Sequence, residues 1–160
     1  MAVVTGASSG IGAATVTALS RAGYRIVAGA RRLERVKRVV GEAGVSLPLD
    51  VTDQESIDGF IAETSKRFGK VDVLVNNAGL ALGLTPIAEG RDDEWVGMWD
   101  VNVLGLLRVT RGFLPLLRGR RTRTSSTSVR SPALRSTRVA PVIPRPSTRC
   151  APSRARCASS

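Results

Sequence analysis

Histidine is absent from these 160 residues, cysteine occurs twice, and aromatic side chains make up only 4% of the chain. Without histidine, the commonest metal ligand and proton shuttle is unavailable. The two cysteines, Cys150 and Cys157, are too far apart for a paired CxxC ligand set, so no metal site and no role for either is expected. No apolar run approaches the roughly 18 residues needed to cross a bilayer, and the residues after Met1 read as a strand instead of a secretion signal. A cytoplasmic location with no membrane partner is therefore expected. Acidic residues are missing after Asp100, tyrosine after Tyr24 and lysine after Lys70.

The formal charge of +11 points toward a polyanionic partner only if it is spread over the molecule. It is not, because the 13 acidic residues all precede position 101 and are balanced by 13 Lys and Arg within residues 1–117. The whole excess lies in residues 118–160, which are rich in Arg, Ser, Thr, Pro and Ala and show no sustained apolar period. Such a composition buries too little apolar surface to offset its ordering entropy, so this basic tail is expected to be disordered. It also lacks the interleaved aromatics that stack nucleobases, and no specific nucleic-acid partner is expected.

Within residues 1–117, short β-branched runs alternate with longer amphipathic stretches, the pattern of βαβ units and a parallel sheet. Strands are predicted at Ala2–Thr5, Arg25–Ala28, Val45–Val51 and Val71–Val75. Helices are predicted at Gly10–Ala22, with Ile11, Val16 and Leu19 facing inward, at Leu33–Glu42, at Gln54–Phe68 and as one long helix within Asp92–Leu117. A Gly/Pro-containing loop around Leu80–Pro86 precedes the last. This is an α/β fold with an open, doubly wound sheet.

Thr5-Gly6-Ala7-Ser8-Ser9-Gly10-Ile11-Gly12 joins the first strand to the first helix. Glycines there allow a tight turn and close backbone approach to a pyrophosphate at a helix N-terminus. The segment resembles the TGxxxGIG element of the short-chain dehydrogenase/reductase family. Asn76-Asn77-Ala78-Gly79, after the fourth strand, resembles that family's NNAG element, and Asp50-Val51 its adenine-contacting pair. Three motifs, in order, each follow a predicted strand.

The resemblance implies a Rossmann-type fold, truncated here, that binds NAD(P) across the carboxyl ends of the strands, and an alcohol/carbonyl oxidoreductase acting on a small molecule. It implies that Gly6, Ser8, Ser9, Gly10, Ile11 and Gly12 line the pyrophosphate, Asp50 and Val51 the adenine, and Asn77, Ala78 and Gly79 the neighbouring ribose. Asn102 matches the helix asparagine of the family's catalytic tetrad. Family members are usually homo-oligomers. After the second strand the chain reads Gly29-Ala30-Arg31-Arg32 with no acid to accept from a ribose 2′-OH. Guanidinium groups suit a 2′-phosphate, so NADP(H) is expected over NAD(H), with Arg31 first and Arg32 second.

The family's serine, tyrosine and lysine should follow the long helix, and no matching residues stand there. If the codons from Ser125 to Ala133 are re-read from the third base of one to the second of the next, they permit Val-Val-Asn-Ile-Ser-Ser-Val-Ala-Gly, similar to the family's serine-bearing strand. In the same frame Ile143 permits Tyr and Ser147 permits Lys, with small residues or Pro between. A slip of reading frame between Leu117 and Thr124 is expected from this coincidence, and it accounts for the arginine-rich tail in GC-rich DNA. The 160-residue chain is expected to have negligible turnover. Left as a functional element, the same tail defines the alternative, a non-catalytic nucleotide-binding protein with a polyanion-binding arm.

Overall fold

In the computed structural model residues 1–83, 86–117 and 124–127 are described, the last of these by backbone alone. Five parallel strands, β1 (Ala2–Thr5), β2 (Ile26–Ala30), β3 (Gly44–Pro48), β4 (Val73–Asn76) and β5 (Thr124–Thr127), form one sheet in the order β3-β2-β1-β4-β5. The helices are α1 (Gly10–Arg21), α2 (Leu33–Val40), α3 (Gln54–Phe68), α4 (Asp92–Trp99) and α5 (Leu106–Leu117). The order reverses between β1 and β4, the switch point at which open sheets of this kind bind ligands beyond the strand carboxyl ends.

Burial on both faces explains why β1, apart from its closing Thr5, and β2 are apolar runs with every residue buried. Alternate side chains feed two cores. Val3, Val27 and Leu74 point to one side, where they meet Ile57 and Phe60 of α3 and Val109 and Phe113 of α5. Ala2, Val4, Ile26, Ala28 and Val75 point to the other, against Val16 of α1 and Val36 of α2. The Phe60 and Phe113 rings meet edge to face at 5.9 Å.

The boundaries of β1 and α3 fall where the sequence puts them. For α3 the reason is local: the Asp53 carboxylate accepts from the N–H groups of Glu55 and Ser56, and Gly69 ends the helix at φ 70°. Other segments differ. β3 stops at Pro48, not at Val51, because Asp50 bends the chain by accepting from both the N–H and the hydroxyl of Thr52 (3.0 and 2.7 Å). Ile11, expected on the inner face of α1, is 53% exposed; its place at the open N-terminal turn of the helix leaves no layer above it.

The long helix expected within Asp92–Leu117 is interrupted, since Asp100–Gly105 is wound as a π-helix between α4 and α5. Nor does β4 have the unpaired outer edge that a chain ending its sheet before residue 118 implies: Val73–Asn76 pairs in parallel with Thr124–Thr127. The tail expected to be disordered from residue 118 therefore contains an ordered strand at Thr124–Thr127, because its extended Ser/Thr backbone pairs with β4; the rest of that tail, with Cys150, Cys157, its arginines and the re-read codons from position 128 onward, lies outside the described residues.

Candidate cofactor site

A cleft of about 380 Å³ opens over the carboxyl ends of β1, β2 and β4. Its floor is the turn after β1, and its walls are the turns after β2, β3 and β4 together with Val101 of the π-segment. Of the residues singled out from sequence, Gly6, Ser8, Ser9, Arg31, Arg32, Asp50, Val51, Asn77, Ala78 and Gly79 line it. Gly10, Ile11, Gly12 and Asn102 do not.

Gly12, which misses the lining, supports it from beneath, next to Gly6. A Cβ added to Gly12 would overlap Asn77 Nδ2 and the Gly6 carbonyl, and one added to Gly6 would lie 2.7 Å from Ala78 Cα. Gly6 also sits at φ 66° and Gly10 at φ 58°, left-handed backbone that side-chain-bearing residues disfavour. The tight turn of β1 thus nests directly against the segment following β4.

A buried residue that the sequence reading left without a role ties these two turns together. The Thr5 hydroxyl accepts from the N–H groups of Asn77 and Ala78, both at 3.0 Å. Asn77 Nδ2 donates back to the carbonyls of Thr5 and Gly6 at 3.1 Å each. The visible signal was one hydroxyl closing an otherwise apolar strand. Ala30, Leu49, Leu80 and Val101 also line the cleft unannounced by any motif.

Asn102 has both ends of its amide engaged: Oδ1 accepts from Leu80 N–H at 2.9 Å, and Nδ2 donates to the Leu80 carbonyl at 2.8 Å. It pins the chain after Asn77-Ala78-Gly79 to the π-segment.

The charged side chains divide between two tasks. Arg32 Nη2 donates to Ser8 Oγ (3.0 Å) and Ser9 Oγ (3.1 Å), drawing the second strand's turn over the first. Asp50 lies in the field of Arg31. Partial burial pushes the Asp50 carboxyl upward, but the two Thr52 hydrogen bonds and the Arg31 charge outweigh it, so it ionises below its ordinary value of 3.8.

The residues fit a dinucleotide phosphate. Two exposed guanidinium groups and two serine hydroxyls stand at a glycine turn that opens a helix, and the buried Asn77 Oδ1 has no hydrogen-bond partner among the described residues. No cluster of metal-ligating side chains occurs among the described residues.

The family model for short chain dehydrogenases matches residues 1–133. The chain belongs to that family. The chain is similar to an uncharacterized oxidoreductase of Staphylococcus saprophyticus, 42% identical over 120 residues, covering 72% of this chain and 48% of that protein. An NADP-dependent 3-hydroxy acid dehydrogenase of Schizosaccharomyces pombe is 39% identical over 122 residues, covering 71% of this chain and 47% of that protein. Among solved structures, an alcohol dehydrogenase of the archaeon Thermococcus sibiricus, complexed with 5-hydroxy-NADP, is 39% identical with a TM-score of 0.68, covering 72% of this chain and 52% of that one. This short-chain dehydrogenase chain spans about half the length of the curated relatives it matches. No helix among its described residues is long and apolar enough to cross a membrane.

Proposed function

We propose that the chain is the cofactor-binding part of an NADP(H)-dependent oxidoreductase acting on the alcohol or carbonyl group of a small molecule. The observation that carries the reading is the pair of exposed arginines after β2, Arg31 and Arg32, at the mouth of a glycine-turn cleft with no carboxylate at that turn. A ribose 2′-OH calls for an acidic acceptor, whereas a 2′-phosphate calls for guanidinium donors. Arg32 is already steadied by Ser8 and Ser9, and Arg31 extends the positive edge toward Asp50. The NADP dependence of the yeast relative and the NADP derivative bound to the archaeal structure support the same choice.

Within such a site the β1 turn and the start of α1 hold the pyrophosphate through backbone N–H groups, and the turns after β3 and β4 orient the adenosine and the nearer ribose. The bound dinucleotide supplies the hydride chemistry. Asn102 keeps the Leu80 backbone, part of the cleft lining, in place. The family's proton-donating tyrosine, with its serine and lysine, has no counterpart after α5 in this chain and is only permitted by the re-read codons, so the 160-residue chain is expected to bind cofactor without turnover.

Titration of the purified chain with NADPH and NADH tests the reading. NADPH should bind at least tenfold more tightly, and Arg31→Ala with Arg32→Ala should erase the difference, a charge-assisted contact to phosphate contributing roughly 1.5–3 kcal/mol. Equal affinity for the two cofactors in the unaltered chain would overturn the NADP(H) assignment.

A further inference from the structure

Arg108 stands on α5, outside the cleft, yet it touches the turn that forms one of the cleft walls. Its Nη1 donates to the Asp100 carboxylate at 2.9 Å and to the Thr52 carbonyl at 3.3 Å. Asp100 and Arg108 bracket the π-segment, so this one side chain spans the irregular stretch and reaches across to the turn after β3.

The same turn is held from two further sides. A Cβ at Gly105 would lie 2.8 Å from the Val51 carbonyl and 2.9 Å from Val51 Cγ2, so the π-segment rests directly on Val51. Asp50 in turn holds Thr52 by two hydrogen bonds, and its own N–H donates to Ser56 Oγ at 2.9 Å. Asp50 and Val51 line the cleft; Thr52 and Arg108 do not. Moving the Thr52 carbonyl therefore moves two lining residues with it, because all three belong to one hydrogen-bonded turn.

We propose that Arg108, anchored by Asp100, is a positioning residue for the adenine end of the cleft, setting the Asp50-Val51 wall by gripping the Thr52 carbonyl across the π-segment. The inference rests on the NADP(H) reading of the cleft. It assigns Arg108 no contact with the cofactor. The guanidinium suits the task because its several N–H groups serve a carboxylate and a carbonyl at once, and its planar shape fixes the distance between them.

The test is binding to the intact 160-residue chain, with NADPH, 2′,5′-ADP and nicotinamide mononucleotide as probes. Arg108→Met keeps the length of the side chain and removes both contacts. It should weaken NADPH and 2′,5′-ADP by the same factor, about fivefold for a charged hydrogen bond that is a third exposed, and leave nicotinamide mononucleotide unchanged. Arg108→Lys should recover part of the loss, since it keeps the charge for Asp100 with a less suited donor set. Asp100→Asn, which loosens the anchor while preserving shape, should give a smaller loss of the same kind and supplies the answer if Arg108→Met does not fold. Arg91→Met, which removes the exposed Arg91–Asp93 pair on α4, should leave all three affinities unchanged. Saturable NADPH binding by the unaltered chain with undiminished 2′,5′-ADP binding in these Arg108 and Asp100 variants overturns the positioning role alone. Equal loss on all three probes overturns it as well, in favour of a general structural effect. Absence of saturable NADPH binding by the unaltered chain overturns the cofactor reading and this inference with it.

Discussion

Thr5 and Asp50 do the most for the site in proportion to their size. The Thr5 hydroxyl satisfies two backbone N–H groups in a place where water does not reach, since Thr5 is 1% and Asn77 4% exposed. Thr5→Val preserves shape and removes the acceptor. It should lower stability by about 2–3 kcal/mol in urea unfolding and weaken NADPH binding further, as unpaired buried donors shift the Asn77-Ala78 backbone. Asp50 makes a pH-dependent contribution. Its native ionisation lies below its ordinary value, so the stabilisation it provides is complete above about pH 3.8 and is lost as pH falls through the lower native value. The gap in urea midpoint between the unaltered chain and Asp50→Asn should be the same at about pH 7 and 5 and narrower at about pH 3. A gap that widened on acidification would contradict the hydrogen-bonding and charge environment described for this carboxyl. Both residues stood in motifs readable from sequence, but Thr5 carried no role there, because a hydroxyl's partners 72 and 73 residues away are set by the pairing of β1 with β4.

At the level of elements, α5 is the helix on which one core depends. Val109, Phe113 and Leu117 bury against β1 and β4, while Leu107 and Leu114 on its other side are 48% and 40% exposed. Phe113→Ala removes the edge-to-face partner of Phe60 and a fully buried ring, and should cost about 3–5 kcal/mol in denaturant unfolding. An Asn76–Thr110 hydrogen bond at 2.9 Å ties the same helix to the end of β4. The apolar spacing that predicts α5 continues without a break through Asp100–Gly105. A period of 3.6 and the wider π winding are indistinguishable over six residues, so the interruption was invisible in sequence. What selects it is tertiary: Asn102 grips the Leu80 backbone, and Gly105 leaves room for Val51. The end of β3 was missed for a related reason, since Val45–Val51 is strand-like in composition and only the Asp50 carboxylate, by folding back on Thr52, breaks it.

For the molecule as a whole, the sheet extends past Leu117. Thr124–Thr127 lies beside β4 in the place where the re-read codons from Ser125 onward would spell the family's serine-bearing strand, and the family match also continues to residue 133. Four Ser and Thr residues with two β-branched side chains are compatible with an extended backbone, which makes that pairing physically reasonable for the chain as it stands. The prediction at this scale concerns chemistry. The 160-residue chain should bind NADPH yet give no measurable NADPH-dependent carbonyl reduction, since its one tyrosine, Tyr24, precedes β2 and packs on the core at α1 and α2. Re-sequencing the coding DNA from the codon for Arg111 onward should restore tyrosine and lysine codons in the displaced frame, and the protein expressed from that frame should turn over. Activity in the 160-residue chain would overturn the prediction, and so would an alternative frame without those codons.

Local pattern in the sequence was enough for the fold class, the order of the elements through β4 and the three motifs that meet at the cleft, because apolar periodicity and turn glycines are local properties of the chain. Tertiary structure alone decided that Gly12 and Asn102 support the cleft instead of lining it, that Arg32 is steadied by the Ser8 and Ser9 hydroxyls, that the long helix unwinds at Asp100 and that β4 gains a neighbour. Each of these depends on which surfaces are pressed together when the sheet closes on its helices, and that is fixed by contacts between residues far apart in the chain.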